Sequence, residues 1–342
     1  MSGNEQPSAA PRFEVEIAGT KYTHAEPSGI KGFTVEDHVD MIGIAQIRFS
    51  AENSSWGSFK IGADVKISVG GSSRKVFVGQ ITAIRHSWGQ GNQVVQVEAM
   101  DPLVKMAASR RTLVYEEKTD DQAVSAVISS SKATAGTVDS TSGTHKYIFQ
   151  RNESDLNFAK RLAARNGYLL LANEGKIDFV KAQYSGSPVE FKEDQILHLD
   201  YTVSDFGIPP ELTVIGWDYI TKEKVEGTAS SGAIVSIGGG ANGVSEAKTW
   251  AETAYISDVL VTSQGGAQAM AEGELNRLAR SFVRGKLIVN GNGALHAGVK
   301  IKTSGQRKGF NPTGFVIAAR HTVELEERFV SEIHFVGNTA PE

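Results

Sequence analysis

The chain has 342 residues, a formal net charge of -4 and no cysteine. That length accommodates two or three domains of ordinary size with cores that need no covalent staples, and the missing cysteine excludes disulfides and thiolate metal sites. Lysine and arginine (35) nearly balance aspartate and glutamate (39), so the basic footprint expected of a nucleic-acid-binding protein is absent.

The first twelve residues, MSGNEQPSAAPR, carry no apolar stretch. They read as a disordered arm over residues 1–10 and not as a secretory signal. From residue 13 the pattern changes. Phe13, Val15 and Ile17 alternate with Glu14 and Glu16, as a strand with one buried face should. Val65, Ile67 and Val69 alternate with Lys66 and Ser68, and the turn cluster Gly70-Gly71-Ser72-Ser73 follows. Two basic clusters, 105–111 and 277–284, are mixed with apolar residues at helical spacing and read as amphipathic surfaces.

The middle of the chain is different. Thr119 and Asp120 can cap a helix whose inner face holds Ala123, Val124, Val127 and Ile128. Ser154 can cap a second, with Leu156, Ala159, Leu162 and Ala163 inward and Gly167 at its end. Short strands are expected near 168–171 and 176–180. A longer helix is expected over 267–283, with Met270, Ala271, Leu275, Leu278, Ala279 and Phe282 on its buried stripe. Beyond it Phe329, Ile333 and Phe335 restore the period of two.

The most informative feature is an internal repeat. GADVKISVGGSSRKVFVGQITAIRH at 62–86 matches AGVKIKTSGQRKGFNPTGFVIAARH at 297–321. Val65-Lys66-Ile67 aligns with Val299-Lys300-Ile301, Gly79 with Gly314, and Arg85-His86 with Arg320-His321; one residue of difference falls in the loop.

The duplicated hairpins, together with YIFQRNESDLNFAKRLAARNGYLLLANEGKIDF at 147–179, resemble the phage late control protein D family, which includes myophage baseplate hubs and the base of VgrG proteins. Gln150, Glu153, Ser154, Asp155, Phe158, Arg161, Leu162, Gly167 and Tyr168 carry the likeness. Weaker similarity runs through 196–337. The resemblance implies a mainly β chain with an α/β insertion and two tail-tube-like β-barrels, forming a pseudo-six-fold ring as a homotrimer. The expected divisions are barrel 1 at 11–110, the insertion at 111–194, and barrel 2 at 195–342 with a loop and helix excursion at about 218–285.

The function that follows from the resemblance is a structural baseplate hub joining a six-fold tube to a three-fold spike. Expected partners are the inner tube or tube-initiator protein, a spike protein, and a baseplate wedge or LysM-like hub-associated protein. VgrG chains continue into a needle whereas this sequence stops at Glu342, so the spike is expected on a separate chain. No nucleic-acid sequence recognition and no membrane segment are expected, since nothing approaches the ~18 apolar residues that cross a bilayer. The particle would assemble in the bacterial cytoplasm as part of a phage tail or extracellular injection machine.

Several residues could carry chemistry instead. Gly238-Gly-Gly-Ala-Asn-Gly243 satisfies G-x-G-x-x-G, with Asp258 downstream, but the surroundings lack the strand–helix–strand alternation of a dinucleotide fold. Glu36-Asp37-His38-Val39-Asp40 offers oxygen and imidazole donors, or simply a charged turn before a strand at 41–49. His86 and His321 lack an identifiable nucleophile or carboxylate partner. Glu324, Glu326 and Glu327 could pair as glycosidase carboxylates or line a polar turn. Trp56, Trp88, Trp217 and Trp250 are dispersed and form no sugar platform. The reading is therefore that there is no catalytic, cofactor or metal site and no enzyme. A carbohydrate-binding or adhesive β-protein is the alternative, and a hydrolase the next.

Overall fold

The structure is a computed structural model and describes residues 12–24, 29–50, 59–70, 74–89, 92–182, 184, 186–247, 252–257, 261–305, 309–324 and 328–342. The expected arm at 1–10 lies outside the described residues, as do Trp56, Trp250, Asp258, Glu326 and Glu327.

The chain is mainly β. Its first part supplies β1 (Phe13–Ile17), β2 (Thr20–Thr23), β3 (Ile30–His38), β4 (Ile44–Ser50), β5 (Asp64–Val69), β6 (Phe77–Gly89) and β7 (Asn92–Met100). Buried and half-exposed residues alternate along β1 and β4, so each strand drives one face into a core of Val15, Phe33, Ile47, Phe49, Ile67 and Val97. The order β3-β4-β7-β6-β5-β1 is antiparallel throughout. The expected turn at Glu36–Asp40 is in fact the end of β3 followed by a turn at 39–43. Glu36, Asp37 and His38 are still strand residues because their backbone pairs with β20, and Glu36 pairs with β4 as well.

The insertion follows. It holds α1 (Leu103–Ala108), β8 (Arg110–Lys118), α2 (Asp120–Ser130), β9 (Ala135–Val138), β10 (His145–Ser154), α3 (Asp155–Asn166), β11 (Tyr168–Asn173) and β12 (Lys176–Lys181). The basic run at 105–111 is thus half helix and half strand, since Ser109 is extended and ends α1. Both helices begin where expected, α2 through the side chain of Gln122 and α3 through that of Ser154. Gln122 Oε1 accepts from the Thr119 N–H, and Ser154 Oγ accepts from the Asn157 N–H at 3.1 Å. Gly167 takes a left-handed φ of 68° at the end of α3. Phe158, Leu162, Val124, Ile128 and Phe179 close this core.

The last part begins before residue 195, because β13 (Val189–Lys192) already pairs with the distant strand β19. Next comes β14 (Ile196–Val203). The excursion is a small domain and more than a loop with a helix. It comprises β15 (Glu211–Asp218), β16 (Glu223–Ser230), α4 (Gly243–Glu246), β17 (Ala254–Ile256) and α5 (Gln264–Ala279), three strands covered by one helix. Helix α5 starts three residues earlier than expected, where Ser263 caps it, and ends at Ala279. Phe282 is buried, but beyond the helix end. The chain then completes β18 (Val283–Asn290), β19 (Lys300–Ser304), β20 (Thr313–Glu324) and β21 (Phe329–Gly337).

The last-part strands run in the order β14-β18-β21-β20-β19, and the two parts join where β20 pairs β3. The repeat is therefore a repeat of register. Aligning Gly79 with Gly314 places β3, β4, β7 and β6 on β14, β18, β21 and β20. Both copies carry a bulge at the matching place in β6 and β20, between Ile81 and Ala83 and between Val316 and Ala318. They also share one in β3 and β14, between Ile30 and Gly32 and between Ile196 and His198. Coincident bulges at two places are hard to obtain by chance, since each fixes a strand's bend and twist. The hairpin register differs from the sequence alignment by two residues. Gly79 faces Val65, whereas Gly314 faces Ile301 and not Val299. A slip of two keeps every side chain on its face, which is why the sequence cannot detect it.

Candidate functional site: the junction between the two halves

The site singled out by the repeat is the β3–β20 junction. Seven residues of each strand pair antiparallel, from His38 opposite Ala318 to Gly32 opposite Glu324. On the outer face Arg320 donates to Glu36 Oε1 at 2.8 Å, and Arg48 pairs with Glu324. On the inner face Val323 packs into the first core, opposite Phe33. His321 is 1% exposed. Its Nδ1 lies 2.9 Å from Ser331 Oγ and its Nε2 2.9 Å from the Leu295 carbonyl. Burial lowers its pKa, so it serves as a neutral bridge between strands.

The matching residue His86 is exposed, and so are its neighbours Arg85, Ser87, Trp88 and Gly89. Among the described residues, Ala83–Gly89 pairs only with β7 and its other edge carries no strand. Trp88, the counterpart of Val323, is 77% exposed. Strand β14, the counterpart of β3, pairs among the described residues only with β18 and exposes Leu197 and Val203.

The acidic stretch ending β3 divides because a strand alternates its faces. Glu36 lies outward with Arg320, while Asp37 points inward and accepts from the Ala297 N–H at 2.9 Å. Asp40, at φ 58°, accepts from the Leu170 N–H at 2.8 Å and ties the first half to the insertion. Burial raises Asp37 to about 6 and Asp101 to about 7. Asp101 accepts from the Gly43 and Leu103 N–H groups at 2.6 and 2.8 Å. These carboxylates are occupied by backbone donors. Among the described residues no group of three or more His, Asp or Glu could hold a metal.

The Gly238–Gly243 loop is explained by its neighbours. A Cβ on Gly240 would stand 2.4 Å from the Ala340 carbonyl, and one on Gly243 2.5 Å from the Phe282 ring. Asn338 accepts from the Ile237 N–H and donates to the Val235 carbonyl, both at 2.8 Å. The glycines allow this loop to lie against the chain's own C-terminal segment, and the following helix is only four residues long. Glu324 is engaged with Arg48. Trp88 and Trp217 are exposed on separate strands.

Four of the residues carrying the sequence resemblance, Gln150, Glu153, Asp155 and Arg161, belong to an internal staple. The Asp155 carboxylate is fully buried and receives Gln150 Nε2 at 2.7 Å, Ser131 Oγ at 2.8 Å and Arg111 Nε at 3.1 Å. Arg161 donates to the Phe149 carbonyl and to Glu153, both at 2.7 Å. A second buried carboxylate, Asp120, receives Arg165 Nε at 2.6 Å and Asn166 Nδ2 at 2.7 Å, with His145 3.5 Å away. Burial alone would raise Asp120, but these donors hold it well below the usual carboxylate range. Sequence reasoning found the caps and missed this staple, because Arg111, Ser131 and Arg165 are brought in from other elements.

An open cleft of about 550 Å³ beside β14 and β18 is lined by Arg277, Arg280, Arg284, Lys286 and His334. Glu274 and Glu332 neutralise two of these cations. Among the described residues no helix is long and apolar enough to cross a membrane.

This fold is that of phage tail proteins. The chain is similar to the 43 kDa tail protein of prophage MuSo2 from Shewanella oneidensis, at 14% identity and a TM-score of 0.70 over 96% of this chain and 98% of that one. It is similar to a tail protein from Neisseria meningitidis, at 12% identity and a TM-score of 0.69 over 96% and 97%. It is also similar to an Escherichia coli component of the type VI secretion system, itself described as structurally similar to bacteriophage T4 tail proteins. That match has 14% identity and a TM-score of 0.62 over 96% and 79%. No curated protein matches the sequence. Residues 8–325 match the family model described as the Alg8 N-terminal domain, and the chain belongs to that family.

Proposed function

We propose that the protein is the hub of a contractile injection machine, a homotrimer adapting a six-fold inner tube to a three-fold spike carried on a separate chain. One observation carries this reading: the chain contains the same strand arrangement twice, with coincident bulges, and joins the two copies through a shared sheet at β3 and β20. Three such chains present six equivalent β units to a six-fold tube and keep three-fold symmetry for the spike. Closed rings also hide strand edges that would otherwise recruit further chains. The two units correspond to tail-tube-like barrels over 11–110 and 195–342, with β13 contributing to the second. The insertion at 111–194 braces them from outside the ring.

No catalytic step is assigned. The buried carboxylates are held by backbone N–H groups or by arginines, and the Ser331 hydroxyl that His321 meets is buried with it between strands, away from any substrate. The partners are the tube or tube-initiator protein above, the spike below, and a wedge or LysM-like protein at the rim.

Light scattering and negative-stain averaging of the purified chain test the reading. The expected result is a mass of about 110 kDa, three times 36.6 kDa, in rings with a central hole. A monomer that forms no ring at any concentration, alone or with the tube protein, would overturn it.

A further inference from the structure

One strand edge of the small domain is covered by side chains in place of a strand. Strand β16 ends the order β16-β15-β17, so its far side carries no strand among the described residues. Glu226 and Thr228 turn their backbone N–H and C=O groups to that side, and helix α5 meets both. Gln264 accepts from the Glu226 N–H at 3.2 Å and donates to the Glu226 carbonyl. Gln268 accepts from the Thr228 N–H at 3.1 Å and donates to the Thr228 carbonyl at 3.0 Å. Further along α5, Asn276 accepts from the Val235 N–H at 2.8 Å and donates to the Ala233 carbonyl at 2.9 Å, just past the strand.

The spacings of the two elements match. Outward-turned residues of a strand recur every second position, about 6.8 Å apart. Side chains four apart on a helix recur about every 6 Å. A primary amide offers an N–H donor and a C=O acceptor as a peptide group does, so a glutamine on each turn can stand in for a neighbouring strand. Gly227 lies between the two pairs, and a Cβ there would stand 2.2 Å from the backbone of Ala267 and Gln268. Glycine therefore lets α5 come close enough for both glutamines to reach. Ser263 accepts from the Gly266 N–H and starts the helix so that Gln264 falls in its first turn.

We infer that Gln264 and Gln268 form a guard that keeps β16 from pairing with β16 of a second copy of the chain. The second copy is the occupant because the bare edge is self-complementary. Antiparallel pairing about Gly227 would put Glu226 opposite Thr228 and Lys224 opposite Ser230, with no like charges directly opposed. Lys224 already neutralises Glu226 within each chain. An uncovered edge of that kind is a template for another chain. This edge lies outside the duplicated units, so the inference stands apart from the ring reading.

Amide exchange of the wild-type chain is the first test and requires no substitution. The Glu226 and Thr228 amides should exchange at least about 100-fold more slowly than freely solvated amides, and free rates at both would overturn the guard. Gln264→Met with Gln268→Met keeps length and helix propensity while removing both amides. Both protons should then exchange at least about tenfold faster, and light scattering should show growth with concentration beyond the wild type's size. Gln264→Met alone, at an exposed first-turn position, should free only the Glu226 amide. Adding Thr228→Glu to the double variant sets Glu opposite Glu226 of the other copy and should restore the wild-type size. Thr228→Lys should leave the association in place. A double variant with freed amides, unchanged circular dichroism and the wild type's size at every concentration would overturn the inference. So would growth that Thr228→Glu leaves intact, since the edges would then not meet in this register. Size is read against the wild type's own, so either result leaves the ring reading untouched.

Discussion

His86 and His321 follow the same arginine in two copies of the same strand, yet one is exposed and the other is 1% exposed and hydrogen bonded at both ring nitrogens. The difference lies in the neighbours. Strand β20 is covered on its far edge by β3, and the loop reaching Leu295 closes over its histidine. Strand β6 has no strand there among the described residues. One half shows what the repeated unit is like when its edge is filled, and the other shows the same unit with that edge open among the described residues.

The comparison can be broken most severely in the insertion that braces both halves. Asp155→Ala leaves Arg111 and Gln150 without their buried acceptor and should cost about 3–5 kcal/mol, the range for breaking a buried ion pair. Thermal melts would show the loss, and an unchanged melting temperature would mean that the staple is not what holds α3 to β8 and β10.

The histidine contrast is the next largest. In the isolated chain His321→Ala should cost about 2–4 kcal/mol, from a buried cavity and the lost bonds to Ser331 and Leu295, while His86→Ala should stay within about 0.5 kcal/mol. Denaturant titration of both variants at low protein concentration separates them. Equal effects would mean that the two edges are not in different states.

The repeat glycines test the shared geometry. Gly79→Ala would set a Cβ 2.2 Å from the Met100 carbonyl, and Gly314→Ala one 2.4 Å from the Phe335 ring. Both should destabilise by about 1–3 kcal/mol, Gly79 more, because a ring can swing aside and a paired backbone cannot.

The smallest effect is in pH. Asp101, raised to about 7 by burial, contributes stability that is full below the ordinary carboxylate pKa and lost as pH rises through 7. His296, lowered to about 4 by burial, contributes stability that is full above the ordinary histidine pKa and lost as pH falls through 4. The two slopes oppose each other in the wild type. Asp101→Asn removes the first, so its melting temperature should rise more steeply than the wild type's between pH 4.5 and 7.5. Parallel curves would show that Asp101 does not titrate in that window.

Much of this was legible in the residues. Alternation at Phe13–Ile17 and 329–335 marked strands, Thr119, Ser154 and Gly167 marked helix ends, and the repeat pointed to two like units. Less was legible where tertiary partners decide. Helix α5 stops at Ala279 although Phe282 continues its apolar spacing, because Phe282 packs beside Gly243 beyond the helix end. The 218–285 segment, expected as a loop and helix, holds that helix but also gives β16 and β17 to a three-stranded sheet with β15. The G-x-G-x-x-G loop is a packing solution against the C-terminal segment, which lies about a hundred positions away and leaves no local mark.

The sequence by itself determined the apolar face of strands such as β1 and β5, where α2 and α3 begin, and that one unit occurs twice. These are period and capping effects, carried within a few residues. Only the tertiary structure decided that β20 pairs with β3, that the hairpins differ by a two-residue slip, and that β6 and β14 keep open edges among the described residues. Every strand edge offers the same backbone N–H and C=O groups, so which edges meet is settled by the bulges and cores that bring them together, not by the side chains along them.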